Sequence, residues 1–420
     1  MTALDKLGIM FEGWRQQGHK YFHSFGRTGV DHWALGFQHF WLAAQKRGLT
    51  DLPFWDFSPE TMAAEAGKCA PLALAYAFHI DASKYAGFMR QIAEQQGVER
   101  IEGMIEDVQL DATSGEITAL RLDKQRLVEG DFFIDCTGFR ALLIGQALGV
   151  GYEDWSSLLL CNSAIAVQST PQGAPLPYTR SIAHAAGWQW RIPLRHRQGN
   201  GIVFSDAHMS RDAALEKLLS SLDGEAITEP NVIQFKPGVR RQQWHKNCVA
   251  IGLSSGFLEP LESTSIHLIH FNILRFLRLI PDGQVEPWAI DEFNRQVDEE
   301  MRSVKDFLIL HYWQNARQKD DFWVACRDNQ VPKTLRHRVD LFRATGSFFR
   351  NLEELFSENS WIQVMMGQGV TPEKTHPVAR QMIQAELSQM MQRLSAEVRR
   401  KVDALPAHGD FLAENFAQMG

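Results

Sequence analysis

The run Asn247-Cys-Val-Ala-Ile-Gly-Leu-Ser-Ser-Gly-Phe-Leu-Glu-Pro-Leu-Glu-Ser-Thr-Ser-Ile-His-Leu-Ile269 decides how this sequence folds. A short apolar strand runs into a loop punctuated by Gly252 and Gly256, and Ser/Thr residues then open an apolar helix. Strand, glycine loop and helix in that order are the local grammar of an α/β fold. The first turn of such a helix has N–H groups without intrahelical partners, at the positive end of the helix dipole, so it forms an anion site. A simply capped helix is the plain alternative. Two carboxylates, Glu259 and Glu262, stand in the otherwise apolar loop. A carboxylate in such surroundings is either solvated or chemically used.

Working outward, Gly130-Asp-Phe-Phe-Ile-Asp-Cys-Thr-Gly138 reads as a buried strand entering a glycine turn. Upstream of it, residues 100–110 and 117–123 form two strands joined at Ala112-Thr-Ser-Gly115. The stretch from Tyr76 to Arg90 is a helix capped by Asp81 or Ser83, with Tyr85, Phe88, Met89 and Ile92 on one face and a stop at Gly97-Val98. Short strands follow at 164–167, 188–192, 201–205, 232–235 and 249–251, a sheet layer distinct from the first. Beyond residue 266 helices dominate, clearest at 266–279 and 291–310, and residues 378–405 read as a charged, solvated packing helix.

Composition narrows the function. With 420 residues, 45% hydrophobic and 22% charged, the chain can bury a large core. A net charge of −7 argues against a nucleic-acid surface, which needs a basic face. No apolar run reaches bilayer-spanning length and no signal peptide opens the chain, so no membrane partner is expected. Cys69, Cys136, Cys161, Cys248 and Cys326 are odd in number, scattered and without a CxxC pair. That pattern points to neither a metal site nor a disulfide framework, and fits a reducing cytoplasm. Twelve tryptophans and 26 phenylalanines make either a dense core or a pocket for a flat ring.

Several of these stretches share a resemblance. Glu259-Pro-Leu-Glu-Ser-Thr264 resembles the segment covering the flavin in flavin-dependent halogenases of the tryptophan-halogenase family, which reads Glu-Pro-Leu-Glu-Ser-Thr. Gly187-Trp-Gln-Trp-Arg-Ile-Pro193 matches that family's Gly-Trp-x-Trp-x-Ile-Pro. As structure, tryptophans at i and i+2 of a strand share one face. Phe133-Ile-Asp-Cys-Thr-Gly-Phe-Arg140 is similar to the strand and turn that return to FAD. Asp5-Lys-Leu-Gly-Ile9 resembles the segment bearing the catalytic lysine, His23-Ser-Phe25 the family's His-x-Phe, and Phe322-Trp323 the Phe-Trp closing an aromatic box.

The resemblance implies a fold and a chemistry. The fold expected is an α/β, FAD-dependent monooxygenase-like two-layer fold. It has a Rossmann-type nucleotide layer, here incomplete, a substrate sheet and a helical C-terminal region. Along the chain this divides into 1–161 (partial FAD-binding and catalytic-lysine region), 162–251 (substrate-side sheet), 252–290 (flavin and halide loop with its helix) and 291–420 (helical region). The implied cofactor is FAD as FADH2, with O2 and chloride or bromide as co-substrates. Ile105, Gly138, Leu253, Ile266, Trp188 and Trp190 would contact the cofactor, and Thr264 and Ser265 would hold halide. Hypohalous acid is relayed to Lys6, Glu262 polarises the relayed species or takes the ring proton, and Ser263 fixes that carboxylate. His23, Phe25, Tyr312, Phe322 and Trp323 would hold a small indole-type aromatic. A separate flavin reductase is the implied partner, and a homodimer is left open.

Two departures qualify the match. The fingerprint Gly-x-Gly-x-x-Gly is expected well ahead of the lysine, but Met1 almost adjoins Lys6, and Gly145, Gly149 and Gly151 follow the wrong element. The expectation is an N-terminally truncated member that binds FAD poorly. Members specific for tryptophan hold its backbone with Tyr-Tyr and a glutamate, where this chain has His311, Tyr312 and Gln318. An indole, a phenol or a carrier-bound aromatic then competes with free tryptophan as substrate. The alternative readings are an inactive or FAD-deficient fragment of such a halogenase, or a flavin-dependent aromatic hydroxylase.

Overall fold

Residues 4–12, Leu-Asp-Lys-Leu-Gly-Ile-Met-Phe-Glu, alternate too little to read as strands, yet nearly all of them are buried. They fold as β1 (Leu4–Lys6) and β2 (Gly8–Glu12), followed by β3 (Lys20–Ser24). A segment covered on both faces loses the polar half of its alternation, so period alone does not reveal it. The structure, a computed structural model, describes residues 3–70, 73–351 and 354–416. Contacts divide the chain into two units, each assembled from separated segments. One comprises Met1–Tyr85, Ser163–Ile233 and Asp306–Gly420; the other comprises Ala86–Asn162 and Gln234–Lys305.

The first unit is built on a seven-stranded sheet. Its order is Asn231–Gln234, Ser163–Ser169, Gln198–Phe204, Gly187–Pro193, Thr179–His184, β2 and β3. Pairing is antiparallel from Ser163–Ser169 through to Thr179–His184, which then runs parallel to β2. The strands expected at 164–167, 188–192 and 201–205 are thus neighbours, and the sheet also takes in the N-terminal strands. Trp190 sits opposite Gly201, where any Cβ would collide with the indole. Glycine is required there by the ring, not by backbone conformation. One face buries Ile165, Val167, Ile202 and Phe204 against Ala214 and Leu218 of the helix Arg211–Ser220. A second core joins Leu7, Met10 and Phe22 to Ala63 and Ala64 and to Val398 and Val402 of the helix Gln384–Asp403. β1 leaves the large sheet and pairs antiparallel with β4 (Ala77–His79).

Two helix expectations are refined here. The helix after β4 spans Ala82–Gln95, with Asp81 Oδ1 accepting from Lys84 N at 3.3 Å. The continuous helix expected over 378–405 is two, Pro377–Gln381 and Gln384–Asp403, because Met382 and Ile383 are extended. The carbonyl freed at Met382 accepts from the Arg47 guanidinium at 2.8 Å, so the break leaves that carbonyl satisfied.

The second unit holds three small sheets. Ile105–Leu110, Ile117–Leu122 and Leu127–Glu129 form an antiparallel meander. Its first turn is closed by the Asp111 carboxylate, which accepts from the Thr113 and Ser114 amides at 2.9 and 2.7 Å. Phe133–Asp135 runs parallel to Cys248–Ala250, which pairs in turn with Trp244–His245. Gly238–Arg240 lies between Tyr152–Asp154 and Gly256–Phe257. The helix Ser265–Leu279 follows, then the helix Pro287–Trp313, whose residues from Asp306 onward belong to the first unit; the two include the expected 266–279 and 291–310.

A buried carboxylate organises this unit. Asp135 Oδ1 accepts from Thr137 N at 2.9 Å and Thr137 Oγ1 at 2.7 Å, and Oδ2 accepts from Leu143 N and Ile144 N at 3.0 and 2.9 Å. The strand end, the Gly138 turn and the following helical turn are therefore tied to one residue. Replacing Asp135 with alanine strands four donors and should cost about 3 kcal/mol. Urea unfolding is the measurement, and Asp135→Asn should fall between the two because its amide keeps one acceptor oxygen.

Ser263 is one of the non-glycine residues held in left-handed backbone. Its φ is +59°, a left-handed conformation that lets the loop turn from Pro260 into the helix at Ser265, with Ser263 N donating to Pro260 O at 3.1 Å. Ser263→Gly should leave stability unchanged or slightly raised, whereas Ser263→Val should lose about 1–2 kcal/mol on backbone grounds. Equal melting temperatures for the two variants would show that the turn is not strained.

Candidate active site

Lys6 ends β1, in register with Ala77 across the strand pair. Its side chain is only 3% exposed, and Nζ lies 5.4 Å from the centre of the Phe25 ring. Behind the strand pair, His79 Nε2 is 2.9 Å from Thr179 Oγ1. Burial, then the Lys6 ammonium and His408, hold the His79 pKa well below the ordinary imidazole range. A neutral imidazole therefore stands beside the cation.

His23 belongs to β3, opposite Ile9 of β2, and is buried. Its ring centre is 5.6 Å from Phe307, which stacks on Phe356 at 3.8 Å and meets Trp361 edge-on at 4.9 Å. Phe307, Phe356 and Trp361 carry no motif and were not singled out from sequence. The wall they make around His23 comes from helix and loop segments more than 280 residues downstream.

The remaining aromatic candidates gather around Trp14. Tyr312 stacks on Trp323 at 5.6 Å, Phe322 meets Trp323 edge-on at 5.3 Å, and Trp14 lies 5.1 Å from Tyr312 and 5.2 Å from Trp323. Trp323 Nε1 donates to the His184 carbonyl at 2.7 Å, and Asn315 Nδ2 donates to the Tyr312 and Trp323 carbonyls. All three candidates here are buried. Neighbouring His311 is buried as well, stacked on Phe11 at 4.5 Å, with Nδ1 2.7 Å from Tyr21 Oη and its carbonyl accepting from Gln368. Trp188 belongs to the same mass, 6.2 Å from Trp14 and 6.0 Å from a half-buried Trp190. Of the five substrate candidates, Tyr312, Phe322 and Trp323 pack on one another, His23 packs on Phe307 and Phe356, and Phe25 faces Lys6; Phe307, through His311, links the rings around His23 to those around Trp14.

In the second unit the loop residues lie in sequence order along one turn. Glu259 and Glu262 are buried, and Thr264 precedes the helix without a side-chain capping bond, so the first-turn amides have no cap from their own neighbour. A cavity of roughly 30 Å³ opens here, bordered by Gly252, Leu253, Ser265, Leu268, Asn272 and Met301. That is room for a single ion or one to two waters. Leu253 and Ile266 remain 38% and 47% exposed beside it, a large apolar exposure for loop-and-helix residues of a buried turn. Gly138 has φ +72°, and Ile105 packs against the core formed by Ile117, Phe133 and Ile144.

Comparison with known proteins matches this geometry to a single family. The family model described as tryptophan halogenase matches residues 1–384. The tryptophan 6-halogenase ThaL of Streptomyces albogriseolus is 33% identical over 462 aligned residues, covering 98% of this chain and 85% of the relative. The tryptophan 7-halogenase RebH of Lentzea aerocolonigenes is 30% identical over 456 residues, with coverage of 98% and 85%. Among solved structures, Xcc4156, a flavin-dependent halogenase from Xanthomonas campestris, superposes with a TM-score of 0.96 at 50% identity, covering 98% of this chain and 84% of that one. BrvH, a flavin-dependent halogenase from Brevundimonas sp. BAL3, gives 0.95 at 45% identity, covering 98% and 86%. Among the described residues no helix is long and apolar enough to cross a membrane. With its mixed α/β architecture and helical C-terminal region, this chain belongs to the tryptophan halogenase family of flavin-dependent enzymes.

Proposed function

We propose that this enzyme halogenates an electron-rich, indole-type aromatic using hypohalous acid relayed to Lys6. The observation that carries the reading is the burial of Lys6. A lysine is ordinarily a solvated charge, whereas this one is held under an aromatic ring with a neutral imidazole behind it. A cation desolvated in that way binds and polarises an oxidant more strongly than one in water.

The chain has features that fit FAD. Exposed Leu253 and Ile266 would contact the isoalloxazine ring, Ile105 and Gly138 would lie along the cofactor, and Trp188 and Trp190 would screen it. Bound as FADH2, supplied by a separate flavin reductase, the cofactor would provide hypohalous acid from O2 and chloride or bromide. The chain's own groups do the rest. Thr264 and Ser265 amides, uncapped at a helix start, hold the halide. Lys6 Nζ presents the electrophilic halogen to the ring. Glu262 accepts the proton that leaves the attacked carbon, and Ser263, turned by its left-handed backbone, orients that carboxylate.

Lys6→Ala should lower halogenated product by at least about a hundredfold while flavin reoxidation continues, because oxidant still forms but is not presented. Glu262→Gln should lower kcat by about a hundredfold with little change in KM, and Glu259→Gln should be milder. Product formation by Lys6→Ala at the wild-type rate would sink the relay.

Substrate choice rests on His311 and Gln318. Tryptophan is the substrate named for ThaL and RebH, but where their family has tyrosine this chain has His311, whose ring bonds Tyr21 Oη and stacks on Phe11. Compounds lacking that backbone should therefore turn over faster than free tryptophan in a competition of indole, 3-methylindole and tryptophan followed by mass. Faster turnover of tryptophan would overturn this assignment.

A further inference from the structure

Behind Lys6 three side chains of different chemistry converge. Asp5 precedes the lysine on β1, and successive strand residues face opposite ways, so its carboxylate points away from the lysine's side of the strand. Cys69 and His408 are brought to it by backbone pairing. Lys68 and Ala407 form a β-bridge, Cys69 N donates to Pro406 O, and His408 N donates to Gly67 O at 2.9 Å. One ligand atom from each of Asp5, Cys69 and His408 lies within 4.8 Å of the other two. The three residues are 5%, 0% and 1% exposed.

The histidine indicates what belongs between them. His408 Nδ1 lies 2.8 Å from the Pro175 carbonyl, which can only accept, so Nδ1 carries the proton and Nε2 presents a lone pair. Nε2 is buried and has no hydrogen-bond partner. The three groups are thus close, yet too far apart or too poorly aligned to bond to that nitrogen. Leaving an imidazole acceptor buried and unpaired costs stability, and a partner of the right size would recover it. A second histidine nitrogen tied to a backbone carbonyl is also the orientation device that metal-ligating histidines use.

We propose that Asp5, Cys69 and His408 form a buried structural site for Zn2+, fastening the strand that carries Lys6 to the segments at 67–69 and 406–408. A tetrahedral zinc ion holds such ligands at about 2.0–2.3 Å, hence about 3.5 Å from one another, so the three side chains would close in by rotation around the ion and a water molecule would take the fourth position. One thiolate, one carboxylate and one neutral imidazole balance the charge of Zn2+, so the loaded site is electrically neutral where burial demands it. The nitrogen, sulfur and carboxylate oxygen donors suit zinc's borderline softness. On binding, the Cys69 thiol gives its proton to solvent. Burial otherwise keeps that thiol protonated, pushed up to about 12.

The test uses the full chain, stripped with a chelator and titrated with Co2+ as a spectroscopic probe. The proposal expects one equivalent bound with a thiolate-to-cobalt charge-transfer band, displaced by Zn2+, and a melting temperature that rises with Zn2+. Cys69→Ser should abolish the band, His408→Gln should weaken Co2+ binding by at least about a hundredfold, and Cys136→Ser should retain both. Circular dichroism checks that each variant folds. If the Cys69 and His408 variants do not fold, the wild type and Cys136→Ser decide alone. A stoichiometric thiolate band in both supports the site. A wild type that binds neither metal stoichiometrically, or a band that survives Cys69→Ser, overturns it.

Discussion

The desolvation of one ammonium group constrains much of the first unit. Removing a lysine from water is unfavourable by several kcal/mol unless the surroundings compensate, and Lys6 is almost wholly covered. The Phe25 ring, itself partly open to solvent, contributes an attraction of about 0.5–1 kcal/mol. His79 contributes by staying neutral rather than adding a second positive charge. These partners arrive by strand pairing: β4 brings His79, and β3, paired with β2, is followed directly by Phe25. The burial of the lysine and the local fold therefore depend on the same backbone pairings.

Where an indole or imidazole nitrogen is already bonded within the chain, as in Trp323 to His184 and His311 to Tyr21, the ring serves packing first. His23 is packed against the rings of Phe307 and Phe356. A site for flat ring systems is built on such rigid aromatic walls.

In the second unit two turns depend on left-handed backbone, at Gly138 and at Ser263. The four bonds to the Asp135 carboxylate hold the first of them in place.

Sequence by itself determined the α/β class, the family, the helices at 266–279 and 291–310, and most strands of the central sheet. Those features rest on local signals: a glycine loop before a Ser/Thr helix start, alternation along half-buried strands, and a set of short motifs. It did not reveal β1–β3, because burial on both faces erases the period, nor the break at Met382, which depends on Arg47 far away in the chain. Only the tertiary structure decided that the two units interleave along the chain, that Lys6 is buried, and that Asp5, Cys69 and His408 meet. No spacing rule reaches from residue 5 to residue 408. Such contacts exist only once strand pairing and core packing have closed the long loops between them.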